Sequence, residues 1–173
     1  MNLSAPFLQA ELRFEAETHQ YFWTGGEIPG CTRMIGELGL IGGREWMTEA
    51  AAERGSRIHL AVRYECEKRL EYETLSDEET PYLLSWIKFC AEHKVEPIML
   101  EAPVAHPILL YGCITDFFGL VDGRQIIIDF KTMKSAPRRC KPWWKIQTRL
   151  QRMALIAAGI ADEKCTTENM VLT

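Results

Sequence analysis

The spacing of apolar residues changes period along the chain, and the predicted elements follow from those changes. Leu12-Arg-Phe14 and Tyr21-Phe-Trp23 are short apolar groups around Thr24-Gly25-Gly26, which predicts a small hairpin. Thr32, after Ile28-Pro29-Gly30-Cys31, is placed to cap a short helix through Leu38 that ends at Gly39. From about Arg44 to Tyr72, Trp46, Met47, Ala50, Ala51, Ile58, Ala61, Val62 and Leu70 recur at mostly helical spacing in a charged background, which predicts one long helix. Gly55 lies inside it, where glycine costs roughly 1 kcal/mol relative to alanine. It therefore marks either a break or a close packing contact. His59, four residues on, shares its face. A second helix, about Glu78 to His93, carries Tyr82, Leu83, Trp86, Ile87 and Phe89-Cys90 as its apolar stripe.

The period then shortens to that of strands. Pro97 to Val104, Tyr111 to Val121 and Arg124 to Thr132 read as three of them, and Asp122-Gly123 closes the last two as a two-residue type I′ hairpin, a turn that favours positive φ at both positions. Ile126, Ile127 and Ile128 form an uninterrupted β-branched run, the mark of a central strand covered on both faces. A third helix follows, about Trp143 to Ala158, ending at Gly159, and Asn169 to Thr173 begins a last strand. No internal repeat or low-complexity tract interrupts this order.

With 173 residues the chain suits a single domain: 1–40 with the hairpin and short helix, 44–93 helical, 96–173 carrying the sheet and the helix after it. A composition 47% hydrophobic and 25% charged is that of a globular protein, and no apolar run reaches the eighteen or so residues of a membrane span. Met1 to Phe7 lacks a basic-then-apolar secretory pattern, so a cytoplasmic, reducing setting and no membrane association are expected. The six cysteines contain no Cys-x-x-Cys pair, which favours mostly buried, unpaired thiols over a zinc or iron–sulfur site.

The net charge of −4 seen as an average argues against a polyanionic partner, but the charge is segregated. Lys131, Lys134, Arg138, Arg139, Lys141, Lys145, Arg149 and Arg152 are eight basic residues in a stretch with no acidic one, which leaves 12 basic against 24 acidic residues elsewhere. A polyanion can dock on that segment.

The hairpin supplies the chemistry. If Val121 pairs with Arg124, the same register puts Asp116 opposite Asp129, and two facing carboxylates repel unless a cation lies between them. Mg²⁺ takes oxygen ligands and is commonly held by one or two carboxylates with water and phosphate. Asp129 and Lys131 project from the same face of their strand, with Phe130 pointing the other way. A lysine so placed can neutralise a pentacovalent phosphate or assist loss of a proton from the attacking water. Asp-x-Lys alone is also compatible with an exposed ion pair at a strand end.

Gly55-x-x-x-His59, Glu101, Gly112-Cys-Ile-Thr-Asp116, Asp129-Phe-Lys131 and Gln147 occur in the order seen in the PD-(D/E)XK nucleases. The pattern resembles their RecB-like exonuclease branch, which takes in phage exonucleases and the mitochondrial genome maintenance exonuclease, and it covers roughly residues 12 to 160. The resemblance implies a restriction-endonuclease-like α/β core, a central mixed sheet flanked by helices. It implies Asp116 and Asp129 as ligands of Mg²⁺ or Mn²⁺, the Phe130 carbonyl as a further oxygen, His59 as a third side-chain ligand, and Lys131 as the catalytic lysine. Glu101 binds a second metal or orients a basic residue; both remain open. Gln147 is a candidate for contacting DNA or supporting the site. The branch usually has tyrosine where this chain has Gln151, and often glycine where it has Cys113, so no role is carried to either. The close C-terminal cysteines of relatives that bind an iron–sulfur cluster are missing, and no cluster is expected.

Lys134, Arg138, Arg139, Lys141, Lys145 and Arg149 are then expected to contact DNA phosphates, and Trp143-Trp144 to stack on an unpaired base, unless one of the two tryptophans belongs to the core. The expected activity is metal-dependent hydrolysis of DNA, from single-stranded or duplex ends, in a phage or bacterial recombination or repair setting. A structure-specific endonuclease and a catalytically idle DNA-binding module on the same fold are the alternatives. Polarity, strandedness and oligomeric state are left open.

Overall fold

The computed structural model describes residues 11–41 and 48–173; Met1 to Phe7 and the expected helical start from Arg44 to Met47, including Trp46, lie outside them. Strands β1 (Leu12–Glu15), β2 (Gln20–Trp23) and β3 (Gly26–Ile28) form an antiparallel meander rather than the single hairpin expected. Its first turn, 16–19, contains neither glycine nor proline, and His19 supplies the positive φ there. Helix α1 (Cys31–Glu37) starts from Gly30 with no side-chain cap, so Thr32 lies within the first turn instead of capping it, whereas Gly39 ends the helix region at positive φ as expected.

Helix α2 (Glu49–Cys66) is capped by Thr48, whose hydroxyl accepts the Ala51 N–H. It stops at Cys66, short of Tyr72; Lys68 takes positive φ, and a single 3₁₀ turn forms at Tyr72–Thr74. Leu70 reaches the core from the intervening loop, so its burial imitates helical periodicity. Helix α3 (Thr80–Glu92) buries Tyr82, Leu83 and Trp86 of the stripe read from the sequence, with Ile87, Phe89 and Cys90 partly buried against the same core. No described helix is long and apolar enough to cross a membrane.

The main sheet has the order β4-β5-β6-β7, from β4 (Val95–His106), β5 (Tyr111–Val121), β6 (Arg124–Thr132) and β7 (Thr166–Leu172). The first three strands are antiparallel, and β7 lies parallel to β6 after a crossover through helix α4 (Pro142–Ala157). Asp122 and Gly123 both have positive φ, and Val121 pairs with Arg124, the register expected of the two-residue hairpin.

The protein is a mixed α/β fold whose four-stranded mixed sheet is flanked by helices. On one face Val104, Cys113, Phe118 and Ile127 pack against Ala154 and Leu155 of α4 and Cys31 of α1. On the other, Phe117, Ile126, Ile128 and Phe130 pack against Ile58 and Val62 of α2 and Leu83 and Trp86 of α3. The isoleucine run is thus shared between both cores, which is why it lacks the alternation of a half-exposed strand.

Candidate metal centre

The sheet opens where its carboxylates fall. Strands β4 and β5 pair at Leu100↔Phe117 and again at Ala102↔Thr115, but the intervening Glu101 and Asp116 leave the ladder, and Glu101 sits at φ +45°. A side chain other than glycine in that left-handed region costs roughly 1–2 kcal/mol, and such strain collects at sites that use it. On the other side of Asp116 the β5–β6 ladder runs from Val121↔Arg124 only to Phe117↔Ile128. Asp116 and Asp129 are therefore not a ladder pair, a correction to the regular hairpin: the next N–H, that of Phe130, donates to Asp116 Oδ2 at 2.8 Å. A side-chain acceptor has replaced a backbone one and holds the strands apart. Asp129 keeps its pairing on the far side, with Asn169 of β7.

Into this opening α2 sends His59. Its Nδ1 lies 3.2 Å from Glu101 Oε1 and 3.6 Å from Asp116 Oδ2, and ligand atoms of the three residues lie within 4.8 Å of one another. The imidazole stands edge-on to Phe130 (centroids 5.8 Å apart), whose ring packs in turn against Trp86 at 5.2 Å. Gly55 permits the approach, because a Cβ there would meet Thr132 Oγ1 at 3.2 Å. Asp129 stands beside the trio and is not part of it. Its Oδ2 is 2.5 Å from Lys131 Nζ, which also donates to Gln147 Oε1 at 3.1 Å.

Three carboxylates on neighbouring strands load the site with negative charge. Burial and the proximity of Asp116 push the Asp129 carboxyl up to about 6, against the pull of Lys131. Burial also raises Asp116, with Glu101 adding to it, while His59, Lys131 and the Phe130 N–H act the other way. Burial lowers the basicity of His59, but Asp116, Glu101 and Asp129 outweigh it and lift the imidazole to about 9. In the metal-free protein a protonated His59 thus joins Lys131 as a cation among the acids.

This donor set fits a hard divalent cation. Glu101 Oε1 is buried with the His59 imidazole as its ion-pair partner, the three carboxylates exceed the two cations beside them, and one imidazole with oxygen ligands suits Mg²⁺ or Mn²⁺. Asp116, Glu101 and His59 are the side chains that could hold it, and Asp129 and Phe130 lie on β6, the strand next to that of Asp116.

Sequence reasoning missed two neighbours. Gln151 is fully buried and donates from Nε2 to Ile114 O at 2.9 Å and to Asp129 Oδ1 at 3.4 Å. It was visible only as a departure from a motif. Asn169, at the level of Asp129, has a buried Oδ1 with no hydrogen-bond partner, and nothing local marked it, since a parallel register is not written in either strand alone.

The basic segment divides. Lys131 and Lys141 line a cleft of about 390 Å³ with Trp143, Trp144 and His59. Trp144 is buried at 3% exposure and Trp143 is half-exposed, so Trp144 is the core member of the pair. Lys134, Arg138 and Arg139 are exposed on the segment between β6 and α4. Lys145 and Arg149 border a different hollow beside Thr167 and Glu168. Arg152 is occupied structurally, donating to Cys165 O at 2.7 Å and to Glu163 O. No known protein-family profile matches the chain, and no curated protein matches it.

Proposed function

We propose that the protein is a divalent-metal-dependent deoxyribonuclease of the PD-(D/E)XK type, similar in pattern to the RecB-like exonucleases, and that it hydrolyses DNA phosphodiesters from an end. The observation that carries the reading is the meeting of His59, Glu101 and Asp116 at a break in the sheet, with Lys131 held by Asp129 and Gln147 beside it. Their order in the sequence resembles that superfamily, and an acid cluster next to a half-buried, oriented lysine suits phosphoryl transfer better than a structural ion pair does.

Each residue then has a task. Asp116, Glu101 and His59 hold the cation, and Asp129 and the Phe130 carbonyl offer further oxygens. A bound divalent cation supplies positive charge to the phosphoryl oxygen and makes water more acidic. Lys131 presents its ammonium where negative charge grows as water adds to phosphorus and the bond to the leaving oxygen breaks. Gln147 keeps that ammonium turned into the cleft. Lys134, Arg138 and Arg139 are placed to steer the polyanion toward it.

The test uses end-labelled single- and double-stranded DNA and a closed circle, with Mg²⁺ or Mn²⁺ and Lys131→Ala as control. Metal-dependent loss of the linear DNA that disappears in the variant is expected. Binding without cleavage of any of the three substrates overturns the reading, and cutting of the circle replaces exonuclease with endonuclease.

A further inference from the structure

We infer that the cleft between α2 and the start of α4 is a subsite for one unpaired nucleobase, stacked on Trp143; this rests on the nuclease reading and gives its substrate a strandedness. Ala51, Ala52 and Ser56 of α2 form one wall and Trp143 and Trp144 the other, while Lys131 and His59 lie at the inner end. The volume of about 390 Å³ is near the lower limit for small-molecule sites, enough for one nucleoside-sized group and too little for a base-paired stack.

The shape comes from side-chain size. Large residues on this face of α2 would have met the tryptophans and filled the space as core. Instead the helix shows them two alanines and a serine, and Gly55 brings it close to Thr132. The tryptophans are nearly perpendicular, at 79°, with centroids 5.9 Å apart. Trp144 is buried, so of the two tryptophans Trp143 is the one with a face left for a ring entering the cleft.

Charge at the two ends suits a nucleotide. Lys131 Nζ lies 5.4 Å from the centre of the Trp143 ring and 5.9 Å from that of Trp144, and Lys141 Nζ 5.7 Å from that of Trp144, so two cationic groups stand against the aromatic wall. The first turn of α4 has no side-chain cap and no acidic residue; Pro142 carries no N–H and the Trp144 N–H donates to Lys141 O, so what the helix start offers an anion is the positive end of its dipole. A base held on Trp143 would thus bring its phosphate beside Lys131. A base inside a duplex has both faces covered by its neighbours and cannot take this position without leaving the stack. The fit is to a single-stranded end or an unpaired overhang.

The experiment measures binding in EDTA, and separately in Ca²⁺, of a 12-nucleotide strand carrying 2-aminopurine at its end. The same label is also placed on a duplex overhang and inside a blunt duplex. Single strand and overhang are expected to bind with a change in label fluorescence, and the blunt duplex to bind more weakly. Base–aromatic stacking is worth about 1–3 kcal/mol, so Trp143→Ala should weaken single-strand binding about 10- to 100-fold while Trp143→Phe retains most of it. Ala52→Trp, which fills the cleft from the opposite wall, should abolish the fluorescence change yet leave thermal stabilisation by Mg²⁺ intact, showing a folded protein with its metal site. Equal affinity of Trp143→Ala and wild type, or blunt duplex bound as well as single strand, overturns the subsite. Failure of the nuclease reading shows differently, as absence of metal-dependent cleavage by the wild-type protein on every substrate.

Discussion

The Phe130 N–H donates to Asp116 Oδ2 at 2.8 Å, taking the hydrogen bond that the next rung of the β5–β6 ladder would otherwise have made. One carboxylate thereby both opens the sheet and faces His59, and charge and shape at this position can be separated by substitution. Asp116→Asn retains an acceptor for Phe130 and removes a buried charge, so the metal-free protein should be as stable as wild type or more so. Asp116→Ala leaves a buried N–H unpaired and should cost about 1–3 kcal/mol. Both should lose metal-dependent cleavage by on the order of 100-fold or more. Urea denaturation in EDTA beside a cleavage assay checks this; equal destabilisation by the two substitutions would show that the side-chain acceptor does not hold the strands.

The acid cluster should make the metal-free protein less stable as pH rises. The Asp129 carboxyl moves from 3.8 in the unfolded chain to about 6 when folded, so between those values the folded state keeps a proton the unfolded state has lost. Stability therefore falls as pH increases through that window. His59 moves from 6.5 to about 9, and the stability it contributes is complete below 6.5 and is lost as pH rises through 9. Each pKa unit corresponds to about 1.4 kcal/mol. Since Glu79 is held below its ordinary value, despite its burial, by Ser76 and Arg57, stability also falls in strong acid, and the optimum should lie at the acid end of the range, near pH 4. Melting temperatures in EDTA from pH 4 to 9 test this, and a maximum above pH 8 contradicts it.

Metal binding should release protons, because the cation and the His59 proton compete for the same oxygens. Stabilisation by Mg²⁺ or Mn²⁺ is expected to be small at pH 5.5 and to grow toward pH 8.5. His59→Gln should flatten that dependence. A Mg²⁺ shift in melting temperature that does not vary with pH would remove the cluster from consideration as the binding site.

Gly55 should be more important to metal affinity than to stability. Gly55→Ala gains roughly 1 kcal/mol of helix propensity and gives some of it back at the 3.2 Å contact with Thr132, so its melting temperature should stay close to wild type. Gly55→Val has branches that cannot fit there and should displace the α2 turn bearing His59. The expected result is a folded protein in which Mg²⁺ stabilisation is weakened at least several-fold, read from titrated melting curves. Unchanged metal affinity in Gly55→Val would separate α2 packing from the site.

Gln151 is expected to act through Asp129. Gln151→Leu removes the two amide contacts at nearly constant volume and should cost about 1–3 kcal/mol, with a loss of cleavage larger than that destabilisation explains. Gln151→Glu places a fourth acid next to Asp129 and should be worse in EDTA but partly recovered by metal. Full activity in Gln151→Leu would reduce the residue to a packing role.

Much of the sheet could be read before the fold was known, and for a local reason. The bounds of β5 and β6, the Asp122-Gly123 turn and the two-faced burial of Ile126 to Ile128 depend on the alternation and turn preferences of neighbouring residues. Errors arose where tertiary contact replaced local pattern. Leu70 looked helical because a loop carries it into the core, and the first turn of the meander was missed because His19, not glycine, adopts its positive φ.

At the site the division is similar. The sequence by itself determined which groups are available: Asp129 and Lys131 on one side of a strand, Asp116 across a two-residue turn, His59 on the face of α2 that carries Gly55, and a basic stretch after β6. Only the tertiary structure decided which of them meet. It joined Glu101 to His59 and Asp116, set Asp129 against Lys131, placed Gln151 behind Asp129, and separated buried Trp144 from half-exposed Trp143. The physical reason is that covalent spacing constrains residues within one strand or one helical turn. The gap at Asp116 depends instead on a helix on each face and strands on both sides reaching a common geometry, which no segment encodes alone.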